Sequence, residues 1–300
     1  MSLPLEQGIE AIRHMQQRQS CRAFDERPID DSLLREIISA GLRGASAGNL
    51  QPYSILVERD KAQNARISEL IGSQPFIKTA AVNLIFMLDW HKLELYAQYK
   101  KAPLTHYKSF GFFILAMEDM MCAAQSIETA AHLCGIASCY AGGAMGLSGV
   151  LCDTYNLPDK VYPMLLLSLG YPKFRPALRP KLPYDMMVFE GEYLGGHSDA
   201  EIIEAFEKKY EGMSLKLPLK PEYREKTLQD FRRALLTTYS PEETERIVAK
   251  ADADGFISEN QRRFGLHYNA DDAYRSGLQL LRDMEKHGII PFDVLKNAEY

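Results

Sequence analysis

Apolar residues recur at helical spacing near the start of the chain, at Leu5, Ile9, Ile12 and Met15, and this predicts an amphipathic first helix. Asp30 or Asp31 is placed to cap a second helix. Its Leu33, Leu34, Ile37, Ile38 and Leu42 form one face, and Gly44 ends it. Residues 53–58, 82–89 and 163–169 read as strands. Residues 114–133 have the length and composition of a helix. Leu115, Met117, Met120, Met121, Ala123, Ala124, Ile127, Ala130 and Ala131 surround it on nearly every side. A helix without a polar face must be buried all round. In a chain of this size, that calls for a partner subunit as well as the chain's own sheet.

The later part of the chain reads differently. Ser198 and Glu201 form a capping box ahead of Ile202, Ile203 and Phe206. Ser240-Pro241-Glu242-Glu243 repeats the device with proline at the first helical position. Lys216-Leu217-Pro218-Leu219-Lys220-Pro221 reads as an extended linker. Charge density rises at the same place: 36 charged residues fall among the last 105, against 39 among the first 195. The expected organisation is a core-forming domain over 1–195 and a charged helical C-terminal extension over 196–300.

Composition narrows the class. Of 300 residues, 46% are hydrophobic and 25% charged, which excludes a disordered, collagen-like or coiled-coil protein. The net charge of −5 argues against nucleic acid as the main partner. The longest nearly apolar run, 161–169, falls short of the roughly 20 residues a membrane span needs. The N-terminal stretch from Met1 and Ser2 has no basic or apolar region of a secretory signal. No membrane partner and a cytoplasmic location are expected. Cys21, Cys122, Cys134, Cys139 and Cys152 contain no CxxC pair, so zinc ribbons, thioredoxin motifs and ferredoxin clusters are excluded. They read as small buried thiols in a reducing compartment. Asp252-Ala253-Asp254-Gly255 suggests a calcium loop, but the register puts Lys250 and Gln261 where anionic ligands belong. A helix-terminating turn is the better reading, and no metal is expected.

Four segments carry candidate chemistry. Arg18-Gln19-Ser20-Cys21-Arg22 sets two guanidiniums around a hydroxyl, suited to phosphate; a plain basic helix end is the alternative. Residues 44–52, Gly-Ala-Ser-Ala-Gly-Asn-Leu-Gln-Pro, combine small residues with polar side chains, as a planar ligand or an ordinary polar loop requires. Gly142-Gly143 follows a short strand and offers freely oriented amides, or makes a tight turn; it is not a GxGxxG dinucleotide fingerprint. Leu169-Gly170-Tyr171-Pro172 precedes Arg175, Arg179 and Lys181, as a second basic group or as solvated charge.

Together these segments resemble the nitroreductase family of FMN-dependent oxidoreductases, over about residues 8–190. Arg18/Ser20/Arg22 follow the first helix, the Ser46–Pro52 loop follows the second, and the Leu169–Pro172 turn precedes basic residues. The resemblance implies an α+β fold with a central, mostly antiparallel sheet flanked by helices. It also implies an intertwined homodimer with FMN at the subunit interface. Arg18, Gln19, Ser20 and Arg22 would hold the phosphate, ribityl chain and N1/O2 edge. Ser46, Ala47 and Asn49 would reach the same FMN from the other subunit. Gly142 and Gly143 would place amides near N5 and O4, Gln74 would touch the isoalloxazine, and Arg179 or Lys181 would close the phosphate. Members often carry glutamate–glycine where this chain has Gly142–Gly143.

The expected reaction passes hydride from NADH or NADPH through flavin N5 to a nitroaromatic, quinone or similar acceptor in ping-pong fashion, with no side chain as a dedicated acid. The alternatives are another flavin reaction on the same fold, such as reductive dehalogenation or ene reduction, and a non-catalytic flavin-binding module. Residues 90–113, rich in aromatics such as Trp90, Tyr96 and Tyr107, read either as a substrate lid or as a surface helix with a buried aromatic stripe.

Overall fold

The computed structural model describes residues 3–72 and 74–289, so Met1, Ser2 and the end of the predicted C-terminal extension lie outside the described residues. The chain divides into two compact units. One comprises the residues up to Leu178 together with those from Gln279; the other is Arg179–Leu278.

The first unit runs α1 (Leu5–Gln16), α2 (Asp31–Gly41), β1 (Tyr53–Glu58), α3 (Lys61–Leu70), α4 (Pro75–Thr79), β2 (Val82–Asp89), α5 (His91–Lys100), α6 (Phe110–Leu133), β3 (Ala137–Tyr140), α7 (Ser148–Thr154) and β4 (Val161–Gly170). The four strands pair antiparallel in the order β1-β2-β4-β3. Asp30, not Asp31, caps α2, accepting from the Ser32 and Leu33 amides. Proline has no N–H for a ladder. Pro163 nevertheless sits inside β4 opposite Met87, where the register slips between Phe86 and Met87, and the irregularity absorbs the missing donor.

Every residue of β2 is buried, so the sheet is covered on both sides at this strand. Alternation sends Leu84, Phe86 and Leu88 to one face, against Met120, Ala123 and Ile127 of α6 and Leu34 and Ile37 of α2. Ile85 and Met87 face the other way, onto Cys21, Phe24, Phe76, Ile77 and Leu166. α6 begins a turn earlier than the pattern predicts. Its small residues allow close approach: a Cβ on Gly41 of α2 would lie 2.1 Å from Ile127 Cγ1 and 2.8 Å from the Ala123 carbonyl oxygen.

α6 is not buried all round in the single chain, since Ile114, Leu115 and Met121 are exposed. α1 buries no residue at all, and its Leu5, Ile9, Ile12 and Met15 are exposed. By length and composition, α6 is also apolar enough to cross a bilayer, a property hidden from a search for one unbroken apolar run. It packs against the sheet and carries two buried carboxylates, Asp119 and Glu128. Cys21, Cys139 and Cys152 are buried as expected, but Cys122 and Cys134 are exposed.

The second unit contains α8 (Asp199–Tyr210), β5 (Ser214–Lys216), α9 (Pro221–Leu235), α10 (Pro241–Asp254), β6 (Phe256–Ser258), α11 (Glu259–Gln261) and the start of α12 (Ala270–Lys286). The Ser198–Glu201 capping box is formed. β5 pairs with β6, so the predicted linker starts inside a strand. Gly255 ends α10 in the left-handed region, φ 75°, the turn expected of it. Leu217, Leu228, Phe231, Leu235, Val248, Ala251 and Ile257 form the core.

Two outcomes follow from this packing. Gly41→Ala forces α2 off the α6 backbone and is expected to destabilise the protein by about 1–3 kcal/mol, read as a lower urea midpoint. Buried Glu259 accepts from Arg262 at 2.7 and 2.8 Å and from Arg263 at 2.8 Å. The Arg262 hydrogen bond, joined by the charges of both arginines, holds its carboxyl down to about 2 from an ordinary 4.5. A depressed carboxyl stabilises the fold fully above its unfolded pKa and loses that contribution as pH falls towards the folded value. Thermal scans should therefore show a loss between about pH 4.5 and 2, and Glu259→Gln should flatten that part of the profile while lowering the melting temperature at pH 7.

Candidate functional site

After α1 the chain turns along β3. The Cys21 amide donates to the Ser138 carbonyl at 2.8 Å, Asp25 to Tyr171 at 2.8 Å, and Lys173 to Ala23 at 2.9 Å. Phe24 lies over Gly170, where a Cβ would come within 2.9 Å of the ring. The Arg18–Arg22 segment and the Leu169–Pro172 turn are thereby joined along one edge. Arg18 is half-buried and donates from Nη1 to Glu128 at 3.1 Å, with Ser20 Oγ at 3.5 Å. Arg22 is exposed, with its guanidinium 5.9 Å from the Phe76 ring centre. Burial raises the Cys139 thiol pKa, and the charges of Arg22 and Arg18 pull against it. Both arginines therefore project their field onto β3.

β3 leads directly into Gly142-Gly143, at the start of a short helical turn. The first N–H groups of such a turn have no partner within it. A Cβ on Gly142 would meet nothing within 4 Å, whereas one on Gly143 would lie 2.8 Å from Ile71 and 3.8 Å from Gln74 Nε2. Gln74 precedes α4, which supplies Phe76. Arg18, Ser20, Arg22, Gln74, Gly142 and Gly143 are thus linked through neighbouring elements. Tyr140, which precedes the glycines on β3, has a buried hydroxyl with no partner among the described residues; burial, then the Glu128 charge, raises its pKa. Gln19 lines a shallow cleft of about 30 Å³ with Gln17, His132 and Ser138, room for about one water.

The 44–52 loop is held elsewhere on α6. The Ala47 amide donates to buried Asp119 at 2.9 Å. Gly48, Asn49 and Gln51 all adopt positive φ, at 57°, 54° and 49°. Ser46 Oγ accepts from the Gln51 amide at 3.3 Å, and Gln51 Nε2 donates to the Leu42 carbonyl at 3.2 Å. Asp119 and Glu128 are nine residues apart on α6, about 13 Å along a helix. One chain therefore anchors Ser46, Ala47 and Asn49 at a different level from Arg18, Ser20 and Arg22. Arg179 and Lys181 are exposed and belong to the second unit. That unit has its own cleft of about 600 Å³, lined by Arg233, Phe264, Tyr268 and Arg275 among others, and none of the predicted site residues line it.

The aromatic segment splits in two. Trp90 and Tyr107 are buried in the main core, and His106 packs edge-on against Trp90. Tyr107 is therefore a core residue rather than part of a mobile lid. Tyr96 and Tyr99 are exposed, with the Lys100 ammonium 5.9 and 5.2 Å from their ring centres. Asp119, Glu128 and Phe76 were not singled out from the sequence. An acid inside an otherwise apolar helix was the available signal for the first two.

The arrangement suits an anion beside the Arg18 guanidinium and a flat ring beside open glycine backbone. Residues 15–171 match the model of the Nitroreductase family. An FMN reductase [NAD(P)H] of Bacillus subtilis (strain 168) is 27% identical over 203 residues, covering 67% of this chain and 81% of that protein. An oxygen-insensitive NADPH nitroreductase of Salmonella typhimurium is 28% identical over 174 residues, covering 58% of this chain and 70% of the relative. A crystal structure from Bacteroides fragilis NCTC 9343 superposes with a TM-score of 0.71 at 23% identity, covering 93% of this chain and 99% of that one, and shares the fold. With the family model matching more than half of its length, this chain belongs to the Nitroreductase family.

Proposed function

We propose that the protein is a homodimeric, FMN-dependent NAD(P)H oxidoreductase that reduces a nitroaromatic, a quinone or a comparably electron-poor acceptor. The observation that carries this reading is the hydrogen-bonded course of Arg18–Arg22 along β3 into Gly142-Gly143. It gathers cations, a hydroxyl and bare amides along one strand. Three features fit FMN. Among the described residues, Arg18 keeps its Nε and Nη2 donors clear of protein partners, the space around Gly142 is open, and the Tyr140 hydroxyl lacks a partner. The related FMN reductase and NADPH nitroreductase support the same chemistry.

Bound FMN supplies the redox chemistry, taking hydride from a nicotinamide and giving electrons to the acceptor. The chain's own residues bind and orient. Arg18 and Ser20 grip the phosphate through charge-assisted bonds. Arg22 brings positive charge to the N1/O2 edge, and Phe76 supports its guanidinium from beneath. The Gly142 and Gly143 amides donate towards the reactive nitrogen, and Gln74 and Gln19 line the ring and ribityl chain. Ser46, Ala47 and Asn49 complete the site from a second copy. The exposed apolar faces of α1 and α6 support that second copy. Tyr96 and Tyr99 present exposed rings suited to an aromatic acceptor.

The test is anaerobic spectroscopy of the purified full chain with FMN. Yellow dimeric protein that NADH or NADPH bleaches, and that a nitroarene or quinone re-oxidises, is the expected outcome. Arg22→Ala should slow reduction at least about tenfold, the scale of losing one charge-assisted contact. Colourless, monomeric protein that takes up no FMN would overturn the reading.

A further inference from the structure

Arg18 has a partner that the flavin reading leaves without a role. Glu128 is 1% exposed and sits on α6, next to Ile127 of the main core. Its carboxylate accepts from Arg18 Nη1 at 3.1 Å, from Ser138 Oγ at 2.5 Å and from Gln125 Nε2 at 2.8 Å. Among the described residues the Arg18 guanidinium makes no other close polar contact; Ser20 Oγ is at 3.5 Å. One end of the guanidinium is thus committed to protein, and Nε and Nη2 stay available.

A guanidinium recognises phosphate through a rigid planar fork, so its plane must be set before the ligand arrives. We propose that Glu128 is a positioning residue that aims the Arg18 fork at the flavin phosphate. The proposal rests on the FMN reading above.

Two effects of Glu128 oppose each other. Its negative charge weakens the attraction of Arg18 for an anion, while its fixed oxygens hold the fork in one orientation. Arg18 retains 31% side-chain exposure, so solvent softens the charge effect. The orientation is held by a carboxylate that solvent does not reach, and Ser138 and Gln125 hold the carboxylate in turn. Orientation therefore outweighs repulsion, and losing Glu128 weakens phosphate binding.

The experiment measures binding of FMN and of riboflavin, which lacks the phosphate, to the full-length protein by flavin fluorescence. Glu128→Gln is expected to weaken FMN binding about tenfold, the scale for losing the partner that orients a ligating group. Riboflavin affinity should change less than about twofold, and Glu128→Gln with Arg18→Ala should bind FMN no more weakly than Arg18→Ala alone. Ser138→Ala removes one of the bonds that hold the carboxylate but keeps the Arg18 contact itself, and should weaken FMN binding about two- to threefold, less than Glu128→Gln. Should Glu128→Gln misfold, Glu128→Asp keeps the charge but withdraws it by one methylene, and the FMN-selective loss is still expected.

Unchanged or tighter FMN binding in the Glu128 variant overturns the proposal. So do equal losses for FMN and riboflavin, additive effects with Arg18→Ala, or a Ser138→Ala loss as large as that of Glu128→Gln. In each of these cases wild-type protein still binds FMN and the flavin reading stands. Wild-type protein that binds neither flavin removes that reading and the proposal together.

Discussion

Two carboxylates buried in an apolar helix must find hydrogen-bond donors, and the donors they find lie in the segments that build the candidate site. An unpaired carboxylate inside a core costs several kcal/mol. Asp119 meets this demand with the Ala47 amide, and Glu128 with Arg18, Ser138 and Gln125. The 44–52 loop and the end of α1 are thereby fastened to one rigid element in the centre of the fold. The sheet and α2 hold that element through close packing of small residues, including Gly41. Core packing and site geometry therefore rest on the same helix.

The charges of the site are arranged in layers. Buried Glu128 holds Arg18 from within. Arg22 rides on an aromatic ring at the surface. The inner cation is restrained by a buried acid, and the outer one keeps its full charge for whatever approaches. A positive surface over an oriented inner donor suits a ligand with an anionic tail and a head that gains negative charge on reduction.

Much of this was legible along the chain. The Ser198–Glu201 box and the Gly255 turn carry their own local chemistry and formed as expected. β2 stood out because every position is buried, giving an apolar run rather than an alternation. Other features depend on contacts remote in sequence. The adjacency of Gln74 and Gly143 arises from α4 packing beside the turn after β3. Tyr107 looks like a surface aromatic until Trp90 and the sheet close over it. Asp119 and Glu128 escaped notice because counting the apolar faces of a helix passes over its isolated acids. Cys122 and Cys134 lie on a helix that seemed apolar enough to bury everything near it, or just past its end, yet the single chain leaves them open.

The spacing of the two acids turns α6 into a gauge. Each added residue in an α-helix rotates everything beyond it by about 100° and shifts it by about 1.5 Å. A single insertion between residues 119 and 128 would swing one anchor out of line with the other, leaving either the loop or the arginine without its footing. The nine steps between these anchors are a dimension that this architecture has no means of adjusting.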